Sequence, residues 1–335
     1  MPAPENHNMP AAEPLSTETL ALFEAIQSEL GQVQQRIENL LSEPDEQIRQ
    51  CLSYLNQKPG KMIRPALVLL GGGCVGAIGP VHIDLAAMME LIHRASLLHD
   101  DVIDSARTRR GQETANSLWD NTAAVLLGDF LLSRAFYLGS SVRLDQAAEI
   151  LSRTARDICC GELRQNFWKG RWDISFEQYY QLIEAKTASL FQSSCCLGAM
   201  AAEAPTQQVE QLSRYGHHLG MAFQITDDLL DMLGTSKAAG KTLGTDLTQG
   251  KLTLPVIHWV QQEPEKKEAR MALLTQGCNP QQLVDEMTQS GSIEFAFSQV
   301  HSHLSQAKET LGEFPASPAR TSLGMLADYV AGRLK

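Results

Sequence analysis

The sequence has no excess of positive charge, no cysteine spacing that makes a metal site, and no apolar run of membrane-spanning length. Each absence removes a class of function. The formal net charge is −11, which excludes nucleic acid or an anionic membrane as the main partner. A local Lys/Arg cluster can still grip a phosphorylated substrate. The seven cysteines are odd in number, and the adjacent pairs Cys159-Cys160 and Cys195-Cys196 lack zinc-site spacing. Buried, reduced thiols of a cytoplasmic protein are the expectation. Residues 1–15 have neither the basic start nor the apolar core of a signal peptide. A disordered tail over residues 1–17, a cytoplasmic location and no integral membrane segment are therefore expected.

The alternation of strands and helices that builds a nucleotide-binding sheet is missing as well. Gly71-Gly-Gly-Cys-Val-Gly76 has the Gly-x-Gly-x-x-Gly spacing, and Glu90 stands where a ribose-binding acid would. Pro80 interrupts the pattern, however, and no further βαβ units follow. The segment instead predicts a helix ending in a glycine-rich loop. Gly240-Lys-Thr242 has a P-loop ending without the earlier glycine or a strand.

What the chain does have is helical periodicity. Leu20, Phe23, Ile26, Leu30, Val33 and Ile37 recur every three to four residues, predicting a first helix to about Leu41 that Ser16 or Thr17 could cap. Pro44 ends it, and a second helix runs through Tyr54. Further helices are predicted over Val81–Asp104, Asn121–Ser140, Leu144–Trp168, Ser175–Ala202 and Thr206–Leu233, with four or five more from Pro255 to Lys335. The fold class read from this pattern is all-α.

Two of these helices end in the same acidic pattern, Asp100-Asp-Val-Ile-Asp104 and Asp227-Asp-Leu-Leu-Asp231. Residues four apart share a helix face, so each cluster presents a carboxylate row. Such rows repel themselves unless cations sit between them, and hard carboxylate oxygens suit Mg2+ completed by phosphate oxygens. One cluster alone reads equally well as a solvated helix end. Two, each followed by basic residues, point to facing helices with metal ions between them and a diphosphate closing the site. His93 lies on the stripe of Asp100 and Asp104, and Gln224 is one turn before Asp227 and Asp228.

Basic residues stand nearby. Lys61 and Arg64 sit where the chain enters a helix, a place suited to anions but equally to an ordinary basic loop. Arg109 and Arg110 follow the first row and can clamp phosphate or merely neutralise the acids. Lys186, inside a mostly apolar helix, must face a cavity or pair with an acid. Lys241 and Lys251 lie on a glycine-rich loop that would make a lid over phosphates.

In this order the motifs resemble those of the trans-polyprenyl diphosphate synthases. The matching stretches are Gly60-Lys-Met-Ile-Arg-Pro65, Glu90-Leu-Ile-His93, His99 to Asp104 with Arg109-Arg-Gly111, and Gly128-Asp-Phe130. They continue with Lys186-Thr187, Phe223 to Asp231, Gly240-Lys241 and Gly250-Lys-Leu-Thr-Leu-Pro255, up to the Tyr329–Lys335 ending. Pro59 replaces a usual second glycine, and Arg94 stands where a small or β-branched residue is common. The resemblance implies one isoprenoid synthase domain over residues 18–335, a helical bundle around a central cavity, acting as a homodimer. It implies condensation of isopentenyl diphosphate with an allylic prenyl diphosphate to an all-trans polyprenyl diphosphate. By the same resemblance Asp100, Asp104 and Asp227 bind Mg2+, and Asp101, Asp228 and Asp231 act through water or neighbouring groups. Arg109, Lys186, Thr187, Gln224, Lys241 and Lys251 would hold the allylic diphosphate; Lys61, Arg64, His93 and Arg110 would hold isopentenyl diphosphate.

Ala95 and Ser96 precede the first row, where the family lines its product pocket. Both are small, so a product longer than farnesyl diphosphate is expected. The alternatives are a short-chain synthase making farnesyl or geranylgeranyl diphosphate, a class I terpene cyclase, and a non-catalytic subunit. A cyclase needs no second diphosphate site, and a non-catalytic subunit could lose its acids without penalty.

Overall fold

The computed structural model describes residues 22–56, 60–109, 111–234, 245–277 and 279–334. Its contacts divide the chain into two compact units, Met1–Leu151 with Leu197–Ala204 and Ser317–Ser322, and Ser152–Cys196 with Pro205–Ala316 and Leu323–Lys335. In chain order the longer elements are α1 (Gln27–Leu40), α2 (Glu46–Asn56), α3 (Ile63–Val75), α4 (Pro80–Ile103), a hairpin of β1 (Thr108–Arg109) and β2 (Gln112–Glu113), and α5 (Asn121–Ser141). They continue with α6 (Ala147–Trp168), α7 (Phe176–Ile183), α8 (Ser189–Ala201), α9 (Thr206–Leu233), α10 (Leu254–Gln261), α11 (Lys267–Gln276), α12 (Pro280–Gln289), α13 (Ser292–Leu311) and α14 (Pro318–Gly332). Among the described residues the hairpin supplies the only strands. The fold is all-α, as the periodicity requires.

In the first unit α4 is the central rod. Pro80 opens it, where a missing N–H costs nothing, and Leu85, Ala86, Met88, Met89 and Leu91 are fully buried along it. It packs along α5, α3 and α1. In the second unit α9 has that place, against α13, with Tyr215 buried and donating its hydroxyl to the carbonyl of Leu323 at 2.7 Å.

Three expectations need correction. First, α3 does not end at the glycine run but continues through it to Val75. A Cβ on Gly72 would lie 2.2 Å from His82 Nε2 and 3.1 Å from the Gly198 carbonyl. The glycines are thus there for close packing, not for a turn. Second, the basic stretch after Asp104, where the all-α reading expected no strand, contains a short antiparallel hairpin with Thr108 paired with Glu113. Third, α5 is long and apolar enough to cross a membrane by length and composition, although no such run was expected. It carries Asp129 and Arg134, buries Ala124, Leu131 and Ala135, and packs on α4.

Candidate active site

Both acidic rows stand at the C-terminal ends of long helices. Asp100 and Asp101 close α4 with Asp104 as its cap, and Asp227, Asp228 and Asp231 occupy the last two turns of α9. A helix C-terminus already carries partial negative charge, so acids placed there are repelled by the macrodipole as well as by each other. A cation held beside such a row would relieve both repulsions. The residues within a row divide in the same way in both. The second aspartate is buried, Asp101 at 4% and Asp228 at 6% exposure, whereas Asp100, Asp104, Asp227 and Asp231 are half-buried.

Each buried member has its own donors. Asp101 accepts from Arg109 Nε at 2.7 Å. Asp228 accepts from the Tyr179 hydroxyl at 2.7 Å and from Gln224 Nε2 at 2.8 Å, and Gln224 in turn accepts from the Thr187 hydroxyl at 2.6 Å. Burial pushes the Asp228 carboxyl up to about 8; Asp246 and Asp227 add to the rise, while the Gln224 and Tyr179 hydrogen bonds oppose it. Burial and the neighbouring Asp228 also push Tyr179 well above its ordinary value. A carboxylate so enclosed is part of the framework.

Asp227 meets a partner that sequence reading missed. Arg333, in the C-terminal ending to which no role was assigned, places Nη2 2.6 Å from Asp227 Oδ1 and its Cζ 4.8 Å from the centroid of the Phe223 ring. Asp231 accepts from the backbone N–H of Asp246 at 2.9 Å, and Lys251 Nζ lies 4.0 Å from Asp246 Oδ1. The Lys251 end of the glycine-rich loop is thereby tied to the second row. Lys241 lies outside the described residues, and so do Arg110 and Pro59.

Lys186 pairs with an acid, as one of the two expectations had it. Its Nζ lies 2.5 Å from Glu162 and 2.6 Å from Gln165 Oε1, both on α6. The chain reaches it through a π-helical turn, Glu184–Ala188, and Gly161 lets α6 approach so closely that a Cβ there would sit 2.8 Å from Lys186 N. Glu162 and Gln165 share a helix face with that glycine. Gly161-Glu162-x-x-Gln165 was the sequence signal for them.

In the first unit, Lys61 is exposed and Arg64 Nη1 meets His93 Nε2 at 3.1 Å. Ala95 is fully buried, and the Ser96 hydroxyl donates to the carbonyl of His93 at 2.9 Å. Among the described residues no three His, Cys, Asp or Glu side chains cluster into a ready-made metal cage. Half-buried carboxylates at helix ends would supply the one or two protein ligands that Mg2+ takes beside water and phosphate.

Comparison with known proteins shows the family. Residues 45–290 match the family model of the polyprenyl synthetases. The heptaprenyl diphosphate synthase component 2 of Geobacillus stearothermophilus is 35% identical over 318 residues, covering 93% of this chain and 98% of that protein. A crystal structure of a decaprenyl diphosphate synthase from Rhodobacter capsulatus matches with TM-score 0.89 and 36% identity, over 95% of this chain and 99% of that one. A polyprenyl synthase from Caulobacter crescentus, complexed with calcium and isoprenyl diphosphate, matches with TM-score 0.87 and 31% identity, over 96% and 100% of the two chains.

Proposed function

The chain belongs to the polyprenyl synthetase family and is a trans-prenyltransferase, and from that premise we propose that it condenses isopentenyl diphosphate with an allylic prenyl diphosphate in a magnesium-dependent reaction. The observation that carries this reading is the pair of acid rows at helix C-termini, each with its second aspartate buried and its outer carboxylates half-buried. The product is longer than farnesyl diphosphate, which the heptaprenyl and decaprenyl relatives and the small Ala95 and Ser96 support.

Asp100, Asp104 and Asp227 would hold Mg2+. The metal, when bound, neutralises the diphosphate so that it can leave. Arg109, Lys186, Thr187, Gln224, Lys241 and Lys251 bind the allylic diphosphate and stabilise the charge that develops on its bridging oxygen. Lys61, Arg64, His93 and Arg110 hold isopentenyl diphosphate with its alkene against the allylic carbon, which makes the coupling effectively intramolecular. The apolar wall of α4 keeps water from the allylic cation. No side chain acts as nucleophile, and the departing diphosphate accepts the final proton.

The test is an assay with isopentenyl diphosphate, Mg2+ and allylic primers of increasing length, read by product size. The account expects products beyond fifteen carbons from at least one primer and none after chelation of the metal. A cyclised hydrocarbon made from the allylic substrate alone would overturn it.

The enzyme is further proposed to work as a homodimer through α5. That helix exposes Leu126 at 62%, Tyr137 at 56% and Phe136 at 48%, more large apolar surface than a helix in water leaves uncovered. Sedimentation should give a dimer for the native chain and a monomer for Leu126→Asp. A native monomer at micromolar concentration would contradict the assignment.

A further inference from the structure

The loop bearing Lys61 enters α3 through a left-handed residue that is not glycine. Met62 has φ 53° and ψ 32° and is 8% exposed. Such a conformation costs an L-residue about 1–2 kcal/mol and persists only where the surroundings enforce it. Here the neighbour is Arg94 of α4. Its Nε donates to Glu90 Oε1 at 3.0 Å and its Nη2 reaches the Met62 sulfur at 3.8 Å.

The N–H···S contact is weak in itself, but the guanidinium making it has nowhere else to go. Arg94 is 8% exposed and Glu90 2%. Swinging Arg94 away would strand a buried carboxylate, a far larger penalty than the contact is worth. Nη1 of Arg94 is buried with no hydrogen-bond partner among the described residues. The Glu90 bond therefore anchors one arm of the guanidinium, and the buried, unsatisfied Nη1 calls for a further reason for the side chain's position. The explanation lies in what surrounds Met62. Lys61 precedes it, Arg64 follows two residues on, and Arg64 meets His93, the neighbour of Arg94 in the chain.

We infer that Arg94, locked to Glu90, is a positioning residue for isopentenyl diphosphate: it fixes Met62, and through it the aim of Lys61 and Arg64. The inference rests on the proposed role of that loop. In this role Arg94 acts through the Met62 side chain that it contacts. It also gives a purpose to a residue that departs from the usual family pattern.

Two variants and a control test it. Arg94→Lys keeps a positive charge beside Glu90 but loses the second arm of the fork. Glu90→Gln with Arg94→Met removes both charges at similar volume, a replacement that buried ion pairs commonly tolerate. Both should melt close to the native protein. Both should raise KM for isopentenyl diphosphate about tenfold, leaving kcat and the allylic KM within about twofold. Calorimetric binding of isopentenyl diphosphate alone should weaken by the same factor. If both bind it as the native enzyme does while Lys61→Ala does not, the inference fails and the loop's role stands. If Lys61→Ala also binds normally, the loop's role fails and takes the inference with it. An equal rise in both KM values would mark a merely structural pair and overturn the inference too.

Discussion

Asp100→Asn and Asp227→Asn each lower turnover by about a thousandfold or more while the protein melts near its native temperature. The asymmetry follows from burial. Both carboxylates are half-buried at helix C-termini, where a negative charge is a liability to the fold. Replacing it with an amide relieves that repulsion. At Asp227 it also weakens the Arg333 pair, but those side chains are 21% and 39% exposed, so the pair contributes at most about 1 kcal/mol. On the proposed reaction, catalysis would lose an ion ligand in each case. Asp228→Ala should behave in the opposite manner. It strands the Tyr179 hydroxyl and the Gln224 amide in a buried pocket, costing about 2–3 kcal/mol of stability. Calorimetric melting beside steady-state kinetics separates the two kinds of aspartate. Equal losses of stability across all three variants would contradict the division.

Ala95→Phe shortens the products, and the shift should be close to complete. Ala95 is fully buried on α4, five residues before Asp100. At about 1.5 Å per residue that is about 7.5 Å along the axis from the ion-binding end. A phenyl ring at that depth would close the space into which the growing chain extends. Overpacking a filled site costs about 1–3 kcal/mol, so a modest fall in melting temperature is expected as well. Ala95→Leu should give an intermediate product length at smaller cost. Chromatography of the dephosphorylated products reads the outcome. An unchanged distribution from a folded, active Ala95→Phe enzyme would remove Ala95 from the pocket.

How far the sequence revealed this molecule depended on how local each determinant is. The α4 helix and its acidic end were legible almost to the residue, because periodicity and a polar end both lie within one segment. Helix α9 was legible for the same reasons. The continuation of α3 through three glycines was not, because its cause is the approach of His82 and Gly198. The π turn before Ser189 and the two-residue hairpin likewise have no periodic signature. In the candidate site, the acidic rows and nearby bases were singled out by type, spacing and family resemblance, but their hydrogen-bond partners were not. Tyr179 and Arg333 lie far in sequence from the row they serve; nothing local marks Tyr179, and the Tyr329–Lys335 ending matched the family without showing what Arg333 would meet. Met62 was passed over because a left-handed methionine cannot be read from composition.

The most direct test of the central claim is calorimetric binding of an unreactive allylic thiolodiphosphate, with and without Mg2+, to the native enzyme and to Asp100→Asn and Asp227→Asn. The account predicts tight binding to the native protein only when Mg2+ is present, and weak binding to both variants under all conditions. Tight binding without the metal, or binding indifferent to either aspartate, would contradict it.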